Sequence, residues 1–176
     1  TSPNWGMKKN HSSTPRTLNT TCPAAVWSAD GALVVAWEDR RAGHTRLFTS
    51  RRETAGAFPA ATQLNEHNAP TEGDREVVGL GTGVMRVVLA TDSAGTVRAA
   101  WLDKRTAASG YAVWGAASHD GGRSFAANRI VQDEQGAAVQ QWHAALAGGI
   151  PGFVAAWDDT REAWLDENES GDVLLS

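Results

Sequence analysis

Short apolar runs rich in valine, alanine and tryptophan alternate with turn-forming residues along most of the chain. Such runs lie at 32–37, 84–90, 97–101, 111–116 and 153–157. Glycine-containing turn signals separate them, at Asp30-Gly31, Gly121-Gly122, Gly148-Gly149 and Pro151-Gly152. No segment shows the period of an amphipathic helix. The pattern therefore predicts an all-β protein of closely spaced antiparallel strands.

A Trp-x-Asp-x-Arg motif ends three of these runs. Its copies lie at 37–41, 101–105 and 157–161. The repeat length of about 60 residues suits one small antiparallel sheet with its loops, which indicates an array of repeated units.

Each unit has the same predicted order of strands. An inner strand (23–29, 84–92 or 142–147) leads to a second strand that ends in the motif. A third strand (45–50, 111–118 or 172–176) then leads to an outer strand (62–65 or 129–132), and a loop is expected at 66–83. Four-stranded antiparallel sheets repeated in this way are the blades of a β-propeller.

We therefore predict a single β-propeller module over residues 1–176, with about three blades. The predicted parts are an N-terminal segment at 1–22, blade 1 at 23–65, blade 2 at 84–132 and an incomplete blade 3 at 142–176. The stretch Arg16-Thr17-Leu18-Asn19 is the expected outer strand that closes blade 3. Because propellers usually have about four to eight blades, we expect either a homodimer that forms a six-bladed ring or a longer chain of which this is about half.

A turn sequence between the third and outer strands of blade 2 carries a recognisable pattern. The residues Ser118, Asp120, Gly122, Ser124 and Phe125 follow the order S-x-D-x-G-x-S-F. Asp120 can accept hydrogen bonds from backbone N–H groups, Gly122 permits a positive φ, and Phe125 can fill the blade. The pattern resembles the Asp-box, or bacterial neuraminidase repeat, of the sialidase-type β-propeller superfamily. The resemblance implies a folding element on the face away from the active site.

Composition and charge bear on partners and location. The formal net charge is −4 and basic residues are scattered among acidic ones, so no nucleic-acid partner is expected. No apolar stretch approaches the roughly 20 residues of a transmembrane helix, so no membrane insertion is expected. The lone Cys22 cannot form an internal disulfide. The resemblance implies an extracellular or cell-surface protein that requires no cofactor.

The loops that follow the three motifs carry the candidate ligand-binding residues. These are Asp39, Arg40, Arg41, Asp103, Arg105, Asp159 and Arg161. Because the motif is repeated and catalytic groups are usually unique in a ring, we interpret it mainly as a folding device. In that interpretation Asp bonds to loop amides and Arg pairs with a neighbouring blade. A carboxylate pair for glycoside hydrolysis, drawn from Glu38, Asp158 and the motif aspartates, is the alternative.

The resemblance also implies a specific chemistry. Sialidase-like enzymes hold a carboxylate with three arginines and use a Tyr/Glu pair as nucleophile and an Asp as acid/base. Residues 34–41 look like that family's second strand and Glu-x-Arg loop, which offers Arg40 or Arg41 as one such arginine. The family's Phe/Tyr-Arg-Ile-Pro signature is absent, and Tyr111 is predicted inside a third strand, away from the active face.

We therefore predict a carbohydrate- or protein-binding or scaffolding module. The alternative is an exo-acting, sialidase-type glycoside hydrolase whose catalytic set lies partly outside this chain.

Alternating oxygen donors precede the last predicted strand. Asp166, Asn168, Ser170 and Asp172 are spaced like the front of a calcium loop. The bidentate acid that ends such loops is absent. A solvated acidic hairpin tip is the alternative interpretation, and calcium is the metal that the sequence suggests.

Overall fold

The described part of the chain is all-β, as the alternating pattern predicts. The computed structural model describes residues 20–40, 45–66, 71–72, 75–76, 83–105, 110–132, 141–150, 152–159 and 172–175. These residues form antiparallel strands joined by turns. Within them, no helix is long and apolar enough to cross a membrane.

The first sheet is followed by a small hairpin. The sheet consists of β1 (Thr20–Trp27), β2 (Leu33–Asp39), β3 (Arg46–Arg52) and β4 (Thr62–Gln63), in that order. The hairpin consists of β5 (Thr71–Glu72) and β6 (Arg75–Glu76). It lies in the segment at 66–83, where the sequence predicts only a loop.

Two further sheets repeat the order of the first. The second sheet consists of β7 (Gly83–Thr91), β8 (Val97–Lys104), β9 (Ala112–Ser118) and β10 (Arg129–Ile130). The third sheet consists of β11 (Gln141–Gly149), β12 (Gly152–Asp159) and β13 (Asp172–Leu175). The expected closing strand at 16–19 lies outside the described residues.

Two apolar cores join the three sheets. Trp101 is fully buried in the core between the first and second sheets, together with Leu47, and Phe125 packs against that core. Trp157 is 2% exposed and lies with Leu102 in the core between the second and third sheets. Burying one tryptophan removes about 150–250 Å² from water, which is worth about 5 kcal/mol by area. Each junction between sheets therefore depends strongly on one side chain.

Side-chain amides complete the third strands where the outer strands are short. Asn65 Oδ1 accepts a hydrogen bond from the N–H of Leu47 at 2.8 Å. Gln132 Oε1 accepts one from the N–H of Val113 at 2.9 Å. Both amide side chains are buried. The outer strands can be two residues long because a side chain supplies the next bond of the ladder.

Asp120 organises the turn between β9 and β10. Its Oδ1 accepts hydrogen bonds from the N–H groups of Arg123 and Ser124, both at 2.9 Å, and its Oδ2 accepts one from the Ser124 hydroxyl at 2.5 Å. The Ser118 hydroxyl donates to Asp120 at 2.7 Å and accepts from the N–H of Gly122 at 2.7 Å. These bonds make the turn a rigid folding element.

The same turn ties the second sheet to the first. Gly122 lies so close to the first sheet that an added Cβ would come 2.4 Å from Val34 Cγ2. The buried Arg51 donates from Nε to the carbonyl oxygen of Gly121 at 2.9 Å and from Nη2 to Asp30 at 2.5 Å. We call this end of the sheets the box face, and the opposite end, where β2, β8 and β12 finish, the motif face.

Replacing Gly122 by alanine should destabilise the fold by about 2–4 kcal/mol, because the new methyl group meets Val34 and φ is +93°. Gly56→Ala is the matched control, since φ is +103° there but nothing lies within 4 Å of the added Cβ. The control should lose only the strain energy of about 1–2 kcal/mol. Urea unfolding measures both variants, and equal losses would show that contact with Val34 costs nothing.

The stability of the fold should fall in acid. Burial opposes ionisation of Asp120, but hydrogen bonds from Ser118, Ser124 and the backbone outweigh it and hold its pKa well below the ordinary value. A hydrogen bond from Ser28 and the nearby Arg51 likewise lower the pKa of Asp30. Because both folded pKa values lie below the unfolded value near 4, the ionised groups stabilise the fold above about pH 4, and this contribution is lost as pH falls further.

We expect the urea midpoint to decrease steadily from about pH 5 to pH 2, and to decrease less steeply in Asp120→Asn. A variant with the same slope as the parent would contradict the role given to this carboxylate.

Candidate functional site

The repeated aspartate of each motif is buried at the motif face. The exposed fractions of Asp39, Asp103 and Asp159 are 4%, 1% and 2%. A carboxylate buried at the same position in every unit is withdrawn from bulk solvent. This placement agrees with a folding role for the repeated aspartate.

In the second sheet, the residues of the motif interact with one another and with the neighbouring strand of the same sheet. Asp103 Oδ2 accepts hydrogen bonds from Trp101 Nε1 at 3.2 Å and from Arg105 Nε at 3.3 Å. The guanidinium of Arg105 lies over the ring of Trp114 on β9, 3.3 Å from its centroid. The expectation that the motif arginine pairs with a neighbouring blade is therefore wrong for Arg105.

Arg40 has no arginine counterpart in the other two motifs. Its side chain is 50% exposed, and its Nη2 lies 3.6 Å from Oε2 of the buried Glu38. The predicted ligand residues Arg41 and Arg161 lie outside the described residues. Arg40 is thus an accessible cation at the motif face, and its ion pair with the buried Glu38 holds it there.

The suggested calcium loop falls mostly outside the described residues. This applies to Asp166, Asn168 and Ser170, whereas Asp172 begins β13, where its backbone pairs with Asp159. In the part of the chain that the structure describes, no three His, Cys, Asp or Glu residues form a group that could hold a metal ion.

Each inner strand carries a β-bulge near the motif face, which the sequence did not predict. The pairing of β1, β7 and β11 with the next strand shifts once. Cys22, Arg86 and His143 lie at the three shifts, with φ values of 47°, 57° and 48°. Positive φ is uncommon outside glycine, and such residues cluster at functional sites. These residue types share no sequence signal, because a bulge arises from strand pairing.

The bulge at Arg86 connects all three sheets. Its N–H donates to Glu38 Oε1 in the first sheet at 2.6 Å, and its guanidinium lies over Trp142 in the third sheet, 5.9 Å from the ring centroid. The rings of Trp142 and Tyr111 lie 5.3 Å apart. The ammonium group of Lys104 lies 6.0 Å from the Tyr111 ring. The motif face therefore carries an aromatic pair bordered by cations.

Tyr111 lies at the motif face, directly before β9 begins. The prediction that it lies inside a strand, away from the active face, is wrong. Burial raises the pKa of Tyr111, Arg40 opposes that shift, and the carboxylates of Glu38 and Asp103 add to it. The phenol is therefore neutral at physiological pH and is influenced by charges from two sheets.

His143 and Asp158 form an accessible pair on the third sheet. The distance from His143 Nδ1 to Asp158 Oδ2 is 2.5 Å, and the side chains are 66% and 38% exposed. Asp158 occupies the motif position held by Glu38 in the first copy and Leu102 in the second. Among the three motifs, this pair is thus specific to the third.

A cavity of about 900 Å³ lies between the second and third sheets, toward the box face. Arg98, Gly115 and Phe153 are among its lining residues. Arg98 has the position on its strand that Val34 has in the first sheet, where Gly122 packs. Between the first and second sheets, the turn of Asp120 fills the space that corresponds to this cavity. The cavity is separate from the groups at the motif face.

No protein-family model and no curated protein sequence matches this chain. Solved structures do match. An alpha-L-arabinofuranosidase from Fusarium graminearum in complex with an iminosugar inhibitor has a TM-score of 0.62 and 13% identity, over 89% of this chain and 44% of its own. An alpha-L-arabinanase from Penicillium chrysogenum complexed with arabinobiose has a TM-score of 0.52 and 15% identity, over 81% and 42%. An endo-arabinase from Bacteroides thetaiotaomicron has a TM-score of 0.57 and 11% identity, over 96% and 59%.

The chain forms part of a β-propeller. The repeated antiparallel sheets and these matches together confirm the predicted fold. This propeller segment spans 42% to 59% of the length of the three matched structures. At such low identity the likeness shows the fold alone, and it does not distinguish a sialidase-type propeller from others.

Replacing Asp103 by alanine should destabilise the propeller segment by about 3 kcal/mol, because Trp101 Nε1 and the Arg105 guanidinium lose a buried acceptor. Asp158→Ala is the matched control, since that carboxylate is 38% exposed and should cost less than about 1 kcal/mol. Equal shifts in the urea midpoint would contradict a folding role for the repeated aspartate.

Proposed function

We propose that this propeller segment forms part of the substrate-binding face of a glycoside hydrolase. The observation that carries the proposal is the accessible pair of His143 and Asp158 at the motif face, which also carries the aromatic rings of Trp142 and Tyr111. Aromatic rings offer a flat apolar surface for a sugar ring, and polar groups at its edge bind hydroxyl groups. The matched arabinofuranosidase and arabinanases support carbohydrate as the ligand class.

Asp158 is the group that we assign as the acid/base. Glycoside hydrolysis requires a carboxyl group that protonates the leaving oxygen, and a second group that acts on the opposite side of the sugar. Asp158 is solvent-accessible, and His143 Nδ1 at 2.5 Å fixes its orientation. Its exposure leaves this carboxyl group within reach of both a substrate and water.

A sialidase-type mechanism is the finer proposal. Tyr111 and Glu38 both lie at the motif face, and we propose that they form a Tyr/Glu pair like that of the resembled family. Because burial raises the pKa of Tyr111, the phenol needs a base to become a nucleophile. Glu38 is the carboxylate that we assign to that task.

Glycan binding without hydrolysis is the second candidate. Glu38 is 2% exposed and is held by the N–H of Arg86 and by Arg40, and Asp103 is also buried. Of these three acids of the motif face, Asp158 is the one with substantial exposure. A lectin-like module needs the aromatic platform and the polar rim, but not a second reachable carboxylate.

We also propose that further blades complete the ring in an extracellular or cell-surface protein, from a second copy or a longer chain. Trp37 stacks on Phe48 at 6.4 Å and is only half-buried, whereas its counterparts Trp101 and Trp157 are buried against a preceding sheet. At the other end of the array, Val154 on the third sheet is 54% exposed. Apolar side chains that are only half-buried or exposed at both ends of the array suit faces that pack against further blades.

Turnover of a fluorogenic sialoside, an aryl arabinofuranoside and linear arabinan tests the proposed function. We expect hydrolysis of at least one substrate and a decrease in kcat of about 10²–10⁴-fold in Asp158→Asn, because the acid/base is lost. Asp92→Asn is the control, since Asp92 caps a turn at the box face and asparagine retains an acceptor oxygen.

Binding without turnover of any substrate would favour the second candidate. Neither binding nor turnover would reject both.

A further inference from the structure

The three bulge residues adopt a backbone conformation that is uncommon outside glycine. The chain at each shift must adopt a positive φ, which glycine adopts without steric cost. The structure instead has a thiol at Cys22, a guanidinium at Arg86 and an imidazole at His143, each in the left-handed region. Strained residues of this kind cluster at active sites and ligand clamps.

The three positions also share one location. Each lies near the start of an inner strand, close to the end of a second strand that carries the motif. The motif aspartates beside them repeat and are buried, whereas the three bulge residues differ in chemistry. Side chains that differ from sheet to sheet, on a backbone arrangement that all three sheets share, are expected at positions that select a ligand.

Arg86 is held ready to donate a hydrogen bond. Its backbone N–H is fixed by Glu38 at 2.6 Å, and its guanidinium is placed over Trp142 at 5.9 Å. Nevertheless, Arg86 Nη1 is buried and has no hydrogen-bond partner. A buried, charged donor without an acceptor is costly, and a ligand oxygen would remove that cost.

We infer that the bulge positions determine ligand specificity at the motif face, and that Arg86 Nη1 donates to an oxygen of the saccharide that lies on Trp142. This inference rests on the proposed carbohydrate function and adds residues that no sequence motif indicates. In addition to the role as a base proposed above, Glu38 positions Arg86, because it fixes the backbone from which the Arg86 side chain extends.

Two substitutions at Arg86 separate strain from ligand binding. Arg86→Gly removes both the guanidinium and the strain, whereas Arg86→Ala removes the guanidinium and keeps the strained Cβ. Calorimetric titration with sialyllactose and with arabinotetraose should show affinity reduced by roughly tenfold to a hundredfold in both variants. The melting temperature should be higher for Arg86→Gly than for Arg86→Ala.

Arg98→Ala is the matched control for loss of an arginine. Arg98 also lies over an aromatic ring, that of Phe153 at 4.9 Å, but toward the box face. This control should bind both saccharides as the parent does. Parent-like binding by Arg86→Gly would overturn the inference alone, whereas a parent that binds no saccharide and hydrolyses none would overturn the proposed function together with it.

Discussion

The burial of one tryptophan between neighbouring sheets is the interaction on which the rest of the structure depends. Trp101 fills the first junction and Trp157 the second, and small residues around them let the inner strands approach closely. Gly148 shows how close this approach is, since an added Cβ would lie 2.2 Å from the carbonyl oxygen of Thr91. Because the sheets are fixed in this way, the ends of their second strands converge on one face, and groups far apart in sequence share a surface.

Repeated and unique residues have separate tasks at that face. The motif aspartate is present and buried in every unit. In the second unit this aspartate, Asp103, accepts hydrogen bonds from the tryptophan and the arginine of its own motif. The preceding position of the motif differs in each unit. Glu38 binds the backbone N–H of the bulge residue in the next sheet, Leu102 packs in the core, and Asp158 is an exposed acid. A residue common to all units satisfies a requirement that all units share, which is folding. The chemistry that we propose for this propeller segment lies in the residues that differ.

The two faces also differ in how their key polar groups are held. At the box face, Asp120 accepts bonds from two N–H groups and two hydroxyl groups, and Arg51 joins the first sheet to the turn. At the motif face, Arg86 combines a strained backbone with a buried N–H group that lacks a partner. Proteins commonly place backbone strain where a ligand binds and derive stability elsewhere. The arrangement of the two faces follows that division.

The strands of the three sheets, their order within each unit and the turn at Asp120 follow from the sequence alone, because alternation of apolar residues and turn chemistry act over a few neighbouring residues. The sequence also placed the motif at the ends of second strands. Only the tertiary structure decided that Tyr111 reaches the motif face, that Arg86 bonds to a residue 48 positions away, and that His143 meets Asp158. These contacts depend on strand register, and a single extra residue in an inner strand changes the direction of the side chains that follow it. No local pattern encodes such a shift, because it is the pairing with other strands and sheets that stabilises it.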